Sequence, residues 1–69
     1  MGIAEVSHLR AVRAFERAGV RMVRESKHIA MTDGRRIITI PRHHPVNVNT
    51  MAVIVRGAGL TAEQFRRLL

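Results

Sequence analysis

A histidine set among hydroxyls and cations is the part of this sequence best equipped for chemistry. In the stretch SKHIAMTDGRRIITIPRH, residues 26–43, His28 follows Ser26 and Lys27, and Arg35 and Thr39 come a few positions later. An imidazole titrates near pH ~6.5 in ordinary surroundings, so it exchanges protons under mild conditions. A ribonucleotide chain carries its own nucleophile, the 2′-hydroxyl. Cleaving it without a metal needs a group that moves that proton, or that protonates the leaving 5′-oxygen, and cations that hold the phosphate. One histidine among arginines meets that need in kind, although the same residue types also occur on surfaces that have no role.

Other chemistries are poorly provided for. There is no cysteine, which removes thiolate metal sites, a thiol nucleophile and any disulfide framework. Ser7 and Ser26 lack an acid-oriented base in their sequence context, so no serine triad is expected. The other histidines are His8, His43 and His44. A metal site needs converging ligands, whereas adjacent His43 and His44 point apart on any regular backbone and Asp33 is committed to a turn. Neither a metal nor a cofactor is expected. The glycines fall in turn or cap contexts and form no phosphate-binding loop.

The elements that position His28 follow from patterning. Asp33-Gly34 between two apolar-rich runs predicts a β-hairpin, with strands over 27–32 and 35–40 and a stop at Pro41. A two-residue turn would set Thr32 opposite Arg35, Met31 opposite Arg36, Ala30 opposite Ile37, Ile29 opposite Ile38 and His28 opposite Thr39. Alternation then puts Ile29, Met31, Ile38 and Ile40 on a core face, and His28, Ala30, Arg35, Ile37 and Thr39 on the other.

Residues 7–18 read as a helix capped by Ser7 and closed by Gly19, with Leu9, Ala11, Val12, Ala14, Phe15 and Ala18 as its apolar face. Arg10, Arg13, Glu16 and Arg17 are left outward as a solvated face. Residues 20–24 form a short strand, which makes a three-stranded antiparallel meander with the hairpin. The segment 51–55, MAVIV, has the β-branched composition of a strand, yet Asn49 or Thr50 could cap a helix there and Gly57 or Gly59 could end it. Thr61 to Gln64 has the form of a capping box, with Phe65, Leu68 and Leu69 on one side of a last helical turn or two.

Sixty-nine residues allow one domain, 1–69, with one small core. Twelve Lys and Arg against five acidic residues give a net charge of +7. All but one of those cations are arginine, the residue suited to bidentate contacts with phosphate, and the excess favours a polyanionic partner, nucleic acid first. Phe15 and Phe65 are the only aromatics, which argues for contacts to backbone and ribose rather than base stacking. The first residues lack the apolar run of a signal peptide and no stretch approaches membrane-spanning length, so a cytoplasmic protein without a membrane partner is expected.

Taken together, these pieces resemble the HicA (YcfA-like) mRNA interferase toxins of bacterial toxin–antitoxin pairs. The resemblance spans residues 9–69. It includes a first helix ending in Ala18-Gly19-Val20, a Ser-x-His motif at Ser26-Lys27-His28, the GRR of 34–36, the PRH of 41–43 and a closing Ala-Gly-Leu at 58–60. It implies an α+β fold like the double-stranded-RNA-binding domain, of order α-β-β-β-α with both helices on one sheet face, and so a helix for the MAVIV segment. It also implies a metal-independent endoribonuclease that cleaves mRNA, inhibits translation and is held inactive by a HicB-like antitoxin. The catalytic histidine of the motif falls on His28. Lys27, Arg35 and Arg42 are then the candidates for holding phosphate, and Ser26 and Thr39 for positioning the RNA. A non-catalytic RNA-binding module of the same fold and a protein-interaction domain that meets only an acidic antitoxin are the alternatives.

Overall fold

A computed structural model describes residues 6–43 and 45–69. The elements run α1 (His8–Arg17), β1 (Arg21–Glu25), β2 (His28–Thr32), β3 (Ile37–Pro41), α2 (Val48–Gly57) and α3 (Ala62–Leu68), an α+β fold. The expected order holds, with the last helical turns forming a helix of their own.

Helix α1 begins where Ser7 can cap it: the serine Oγ accepts from the Arg10 amide at 3.2 Å, an arrangement worth about 1 kcal/mol in general. Its apolar stripe, Ala11, Val12, Ala14 and Phe15, is buried. Gly19, at φ 86°, reverses the chain so that the Val20 amide returns to the Phe15 carbonyl at 3.0 Å. His8 is buried as well, and its backbone N–H and ring Nδ1 both meet the His43 carbonyl, at 3.2 and 3.3 Å. With the Val46 amide donating to the Val6 carbonyl at 2.8 Å, this pins the chain after β3 against the start of α1. The expected divergence of His43 and His44 involves a residue outside those described.

The MAVIV segment is helical. Asn47 caps it, rather than Asn49 or Thr50, through an Oδ1 that accepts from the amides of Asn49 and Thr50 at 2.8 and 3.3 Å. The β-branched residues cost a helix a few tenths of a kcal/mol each, and burying a side chain of that size returns roughly 1.5–3 kcal/mol. Met51, Ile54 and Val55 all reach the core at helical spacing, so packing overrides propensity. The capping box of α3 forms on both sides, with Thr61 N donating to Gln64 Oε1 at 2.9 Å and Gln64 N to Thr61 Oγ1 at 3.1 Å. It presents Phe65 to Phe15 with ring centroids 5.1 Å apart, and both rings are fully buried.

The three strands are antiparallel in the order β1-β2-β3. Ile29, Met31, Ile38 and Ile40 are buried beneath the helices, as alternation predicts. Helix α1 packs on β1 and β3, α2 packs on β3, and α3 bridges the other two helices. The opposite face of the sheet carries no element among the described residues. No helix among them is long and apolar enough to cross a membrane.

The hairpin register differs from the expected one by two positions. Thr32 pairs with Ile37, Ala30 with Thr39, Ile29 with Ile40 and His28 with Pro41, so the connection is a four-residue loop, 33–36. A type I′ turn needs positive φ at both central residues, and only Gly34, at φ 98°, has it. Asp33 takes the amides of Arg35 and Arg36 instead, each at 2.8 Å. Thr32 Oγ1 accepts from Gly34 N at 3.0 Å and donates to the Arg36 carbonyl at 2.6 Å. Two side chains thus satisfy a longer loop that an isolated reading of Asp-Gly does not foresee. A shift of two leaves the parity of every strand residue unchanged, which is why the core face is correct although every cross-strand partner is not.

Candidate functional site on the open sheet face

His28 opens β2 on the side away from the helices, and its neighbours can be laid out from the register. The chain reverses tightly between β1 and β2, with the Ser26 amide donating to the His28 carbonyl at 3.0 Å and Lys27 exposed at the tip. On the other flank His28 faces Pro41. The next residue, Arg42, reaches back across the end of the hairpin and donates from Nη1 to the Ser26 carbonyl at 3.2 Å. Ser26, Lys27, His28 and Arg42 therefore gather at one end of the sheet, all exposed. The imidazole has no hydrogen-bond partner among the described residues, and Arg42 spends one of its five guanidinium N–H donors on the turn.

Thr39 lies two positions before Pro41 on β3, opposite Ala30. It is a diagonal neighbour of His28 rather than its direct partner, and the residue is exposed. Arg35 does not join the group. It lies in loop 33–36, at the far end of β2 from His28, and four strand steps of ~3.3 Å put roughly 13 Å between the two ends. The expectation that Arg35 shares a strand face with His28 fails because the four-residue loop takes Arg35 out of the ladder. Its neighbour Arg36 is occupied structurally, pairing with Asp33 at 3.7 Å and lying against Gly59 in the turn between α2 and α3.

Strand β1 holds what the sequence reading missed. Regular alternation would place Arg21 and Arg24 on opposite faces. The register shifts between Met22 and Arg24, leaving Val23 as an extra residue, so that Arg21 pairs with Thr32 and Arg24 with Ala30. Directly paired residues in an antiparallel ladder share a face, so both arginines stand on the open side with His28. Glu25 pairs with Ile29, whose side chain is buried under the helices. The register thus directs the root of its side chain to the helix side of the sheet edge, and the residue is exposed. A mixed run such as RMVR carries no pattern that announces a bulge.

The open face is thereby basic at its β1 edge, with Ala30 between His28 and Thr32 on the central strand and Ile37 73% exposed near its far end. A second basic group, Arg10, Arg13 and Arg17, lines a cleft of about 110 Å³ with Leu69 on the helix layer. Arg17 there donates to the Leu68 carbonyl and so helps hold α3. Among the described residues no three His, Asp or Glu side chains come together. Chemically, the open face offers one proton-transferring group with cations and hydroxyls on both flanks, which suits an anionic chain laid across the strands. In comparisons with known proteins, no family model matches the chain and no curated protein or solved structure matches it either.

Proposed function

We propose that this protein is a metal-independent endoribonuclease of the HicA type, acting on mRNA in the cytoplasm as the toxin of a toxin–antitoxin pair. The observation that carries the reading is the grouping of Ser26, Lys27, His28 and Arg42 at one end of an uncovered sheet face. The Ser-x-His motif supports it, as does the net charge of +7.

In this mechanism His28 accepts the proton of a ribose 2′-hydroxyl as that oxygen attacks the adjacent phosphorus. The bond from phosphorus to the 5′-oxygen breaks, and the leaving oxygen takes a proton from solvent or from the imidazolium just formed. The products are a 2′,3′-cyclic phosphate and a 5′-hydroxyl. Lys27 and Arg42 stabilise the charge that builds on the non-bridging oxygens, and Ser26 and Thr39 orient the ribose and backbone. The bond from Arg42 to the Ser26 carbonyl holds that guanidinium beside the turn before substrate arrives, which lowers the cost of ordering it.

An acidic HicB-like antitoxin neutralises the toxin by covering this same face, where exposed Ile37 gives it an apolar contact and the arginines give it charge. The test is cleavage of a defined RNA by purified wild-type protein and by His28→Ala. Cleavage by the wild type alone supports the reading, and equal cleavage by both overturns it.

A further inference from the structure

We infer that the open face holds a phosphodiester subsite built from Arg24, Ala30 and Thr39, one row along the sheet from His28. It rests on the ribonuclease reading for its place in a reaction, but its geometry stands on the strand register alone. Arg24 pairs with Ala30 on one side and Thr39 pairs with Ala30 on the other, so the three residues form a row across β1, β2 and β3. Both outer residues are exposed and the alanine is half-buried. A methyl group between an arginine and a threonine makes a hollow whose floor is apolar and whose rims donate hydrogen bonds.

Each rim is a diagonal neighbour of His28. On β3, His28 faces Pro41 and Thr39 lies two residues before it. On β1, the Ser26 amide meets the His28 carbonyl and Arg24 lies two residues before Ser26. Diagonal pairs of this kind are about 7–8 Å apart at Cα, a distance that long side chains bridge. A phosphate seated over Ala30 is therefore within reach of the Arg24 guanidinium and the Thr39 hydroxyl, with the imidazole beside it at the next ribose.

Charge supports an anion at this row. Arg24 has no ion-pair partner among the described residues, and the nearest carboxylate in sequence, Glu25, pairs with the buried Ile29, so its side chain starts from the opposite face. Asp33 is at the opposite end of the hairpin and pairs with Arg36. The extra residue Val23 is the device that creates the subsite, because regular alternation from Arg21 would put Val23 on the open face and turn Arg24 to the helix side. The ligand is the backbone of a single RNA strand: Arg and Thr are common donors to phosphate oxygens, and with Phe15 and Phe65 both buried the face has no aromatic on which bases could stack.

The experiment uses the whole chain, a 2′-O-methyl RNA oligonucleotide that binds without being cleaved, and inorganic phosphate as a second probe. Arg24→Gln should weaken binding of the oligonucleotide about tenfold and lower the salt slope by about one. Arg24→Lys should recover part of the loss. Ala30→Leu fills the hollow without altering charge and should weaken binding comparably, and phosphate should shift the Ala30 and Thr39 methyl resonances in the wild type but not in Arg24→Gln. Arg13→Gln, on the helix layer, is the control and should leave all of these unchanged.

Wild-type binding in both Arg24→Gln and Ala30→Leu overturns the subsite, and if the wild type still cleaves unmodified RNA the ribonuclease reading survives that result. Binding that depends on Arg24 and Ala30 without any cleavage by the wild type upholds the subsite and overturns the catalytic reading. If the oligonucleotide does not bind and Arg24→Gln instead weakens association with an acidic protein, the row is a protein contact and the subsite is wrong.

Discussion

Arg42 donates to the carbonyl of Ser26 across 3.2 Å, closing the end of the hairpin next to His28 with a guanidinium. The bond is exposed, so little stability is expected of it, and in the proposed mechanism it orients a cation. Arg42→Gln should therefore leave the denaturation midpoint almost unchanged while lowering kcat/KM for RNA and the salt slope of binding. A variant that unfolds at much lower denaturant but cleaves normally would show the bond to be structural instead.

His28→Ala should abolish cleavage, a loss of about 10²–10⁴-fold for one general acid or base. Stability should stay within ~0.5 kcal/mol, because the side chain is exposed and its removal opens no cavity. Cleavage by the wild type should survive EDTA and leave 2′,3′-cyclic phosphate or 3′-phosphate ends. Activity lost with chelator and restored by a divalent ion would remove the mechanism. Glu25→Gln should change the rate little, since Glu25 pairs with Ile29 and its side chain starts from the face opposite His28.

Asp33 links the hairpin loop to pH. The backbone amides of Arg36 and Arg35, and then the Arg36 charge, hold its carboxyl below the ordinary value. A folded pKa lower than the unfolded one stabilises the protein above the unfolded value, near ~3.9, and that contribution is lost as pH falls through the folded value. Thermal midpoints measured from pH 5 downward should fall faster for the wild type than for Asp33→Asn, which keeps the acceptor without the charge. Parallel curves would mean that the loop does not depend on the ionised form.

Gly59 has φ 79°, and a Cβ built there would lie 3.1 Å from the Arg36 guanidinium. Gly59→Ala should cost about 1–2 kcal/mol from the backbone alone, read as a lower urea midpoint. Combining it with Arg36→Ala should relieve the contact and leave the backbone part. Full recovery in the double variant would show that the turn tolerates a side chain.

Protection of His28 from diethyl pyrocarbonate tests the proposed covering of the open face by an acidic partner. In a complex with an acidic partner the residue should become unreactive, and association should slow as salt rises. A bound, inactive complex in which His28 still reacts would place inhibition elsewhere.

Local sequence by itself determined the capped helix after Ser7, the box at Thr61 and Gln64, and which hairpin residues point toward the helices. Each depends on a side chain satisfying its own neighbours or on a parity that survives a two-residue slip. It also picked out His28 with Ser26 and Lys27, which the chain holds together within three positions. Tertiary structure decided the rest. MAVIV became a helix because burial of Met51, Ile54 and Val55 outweighs β propensity once Asn47 caps the turn. Arg35 left the site because Asp33 and Thr32 stabilise a longer loop, and Arg24 entered it because Val23 is extra against β2. A bulge and a loop length are properties of two strands measured against each other, and no single strand's sequence contains that comparison.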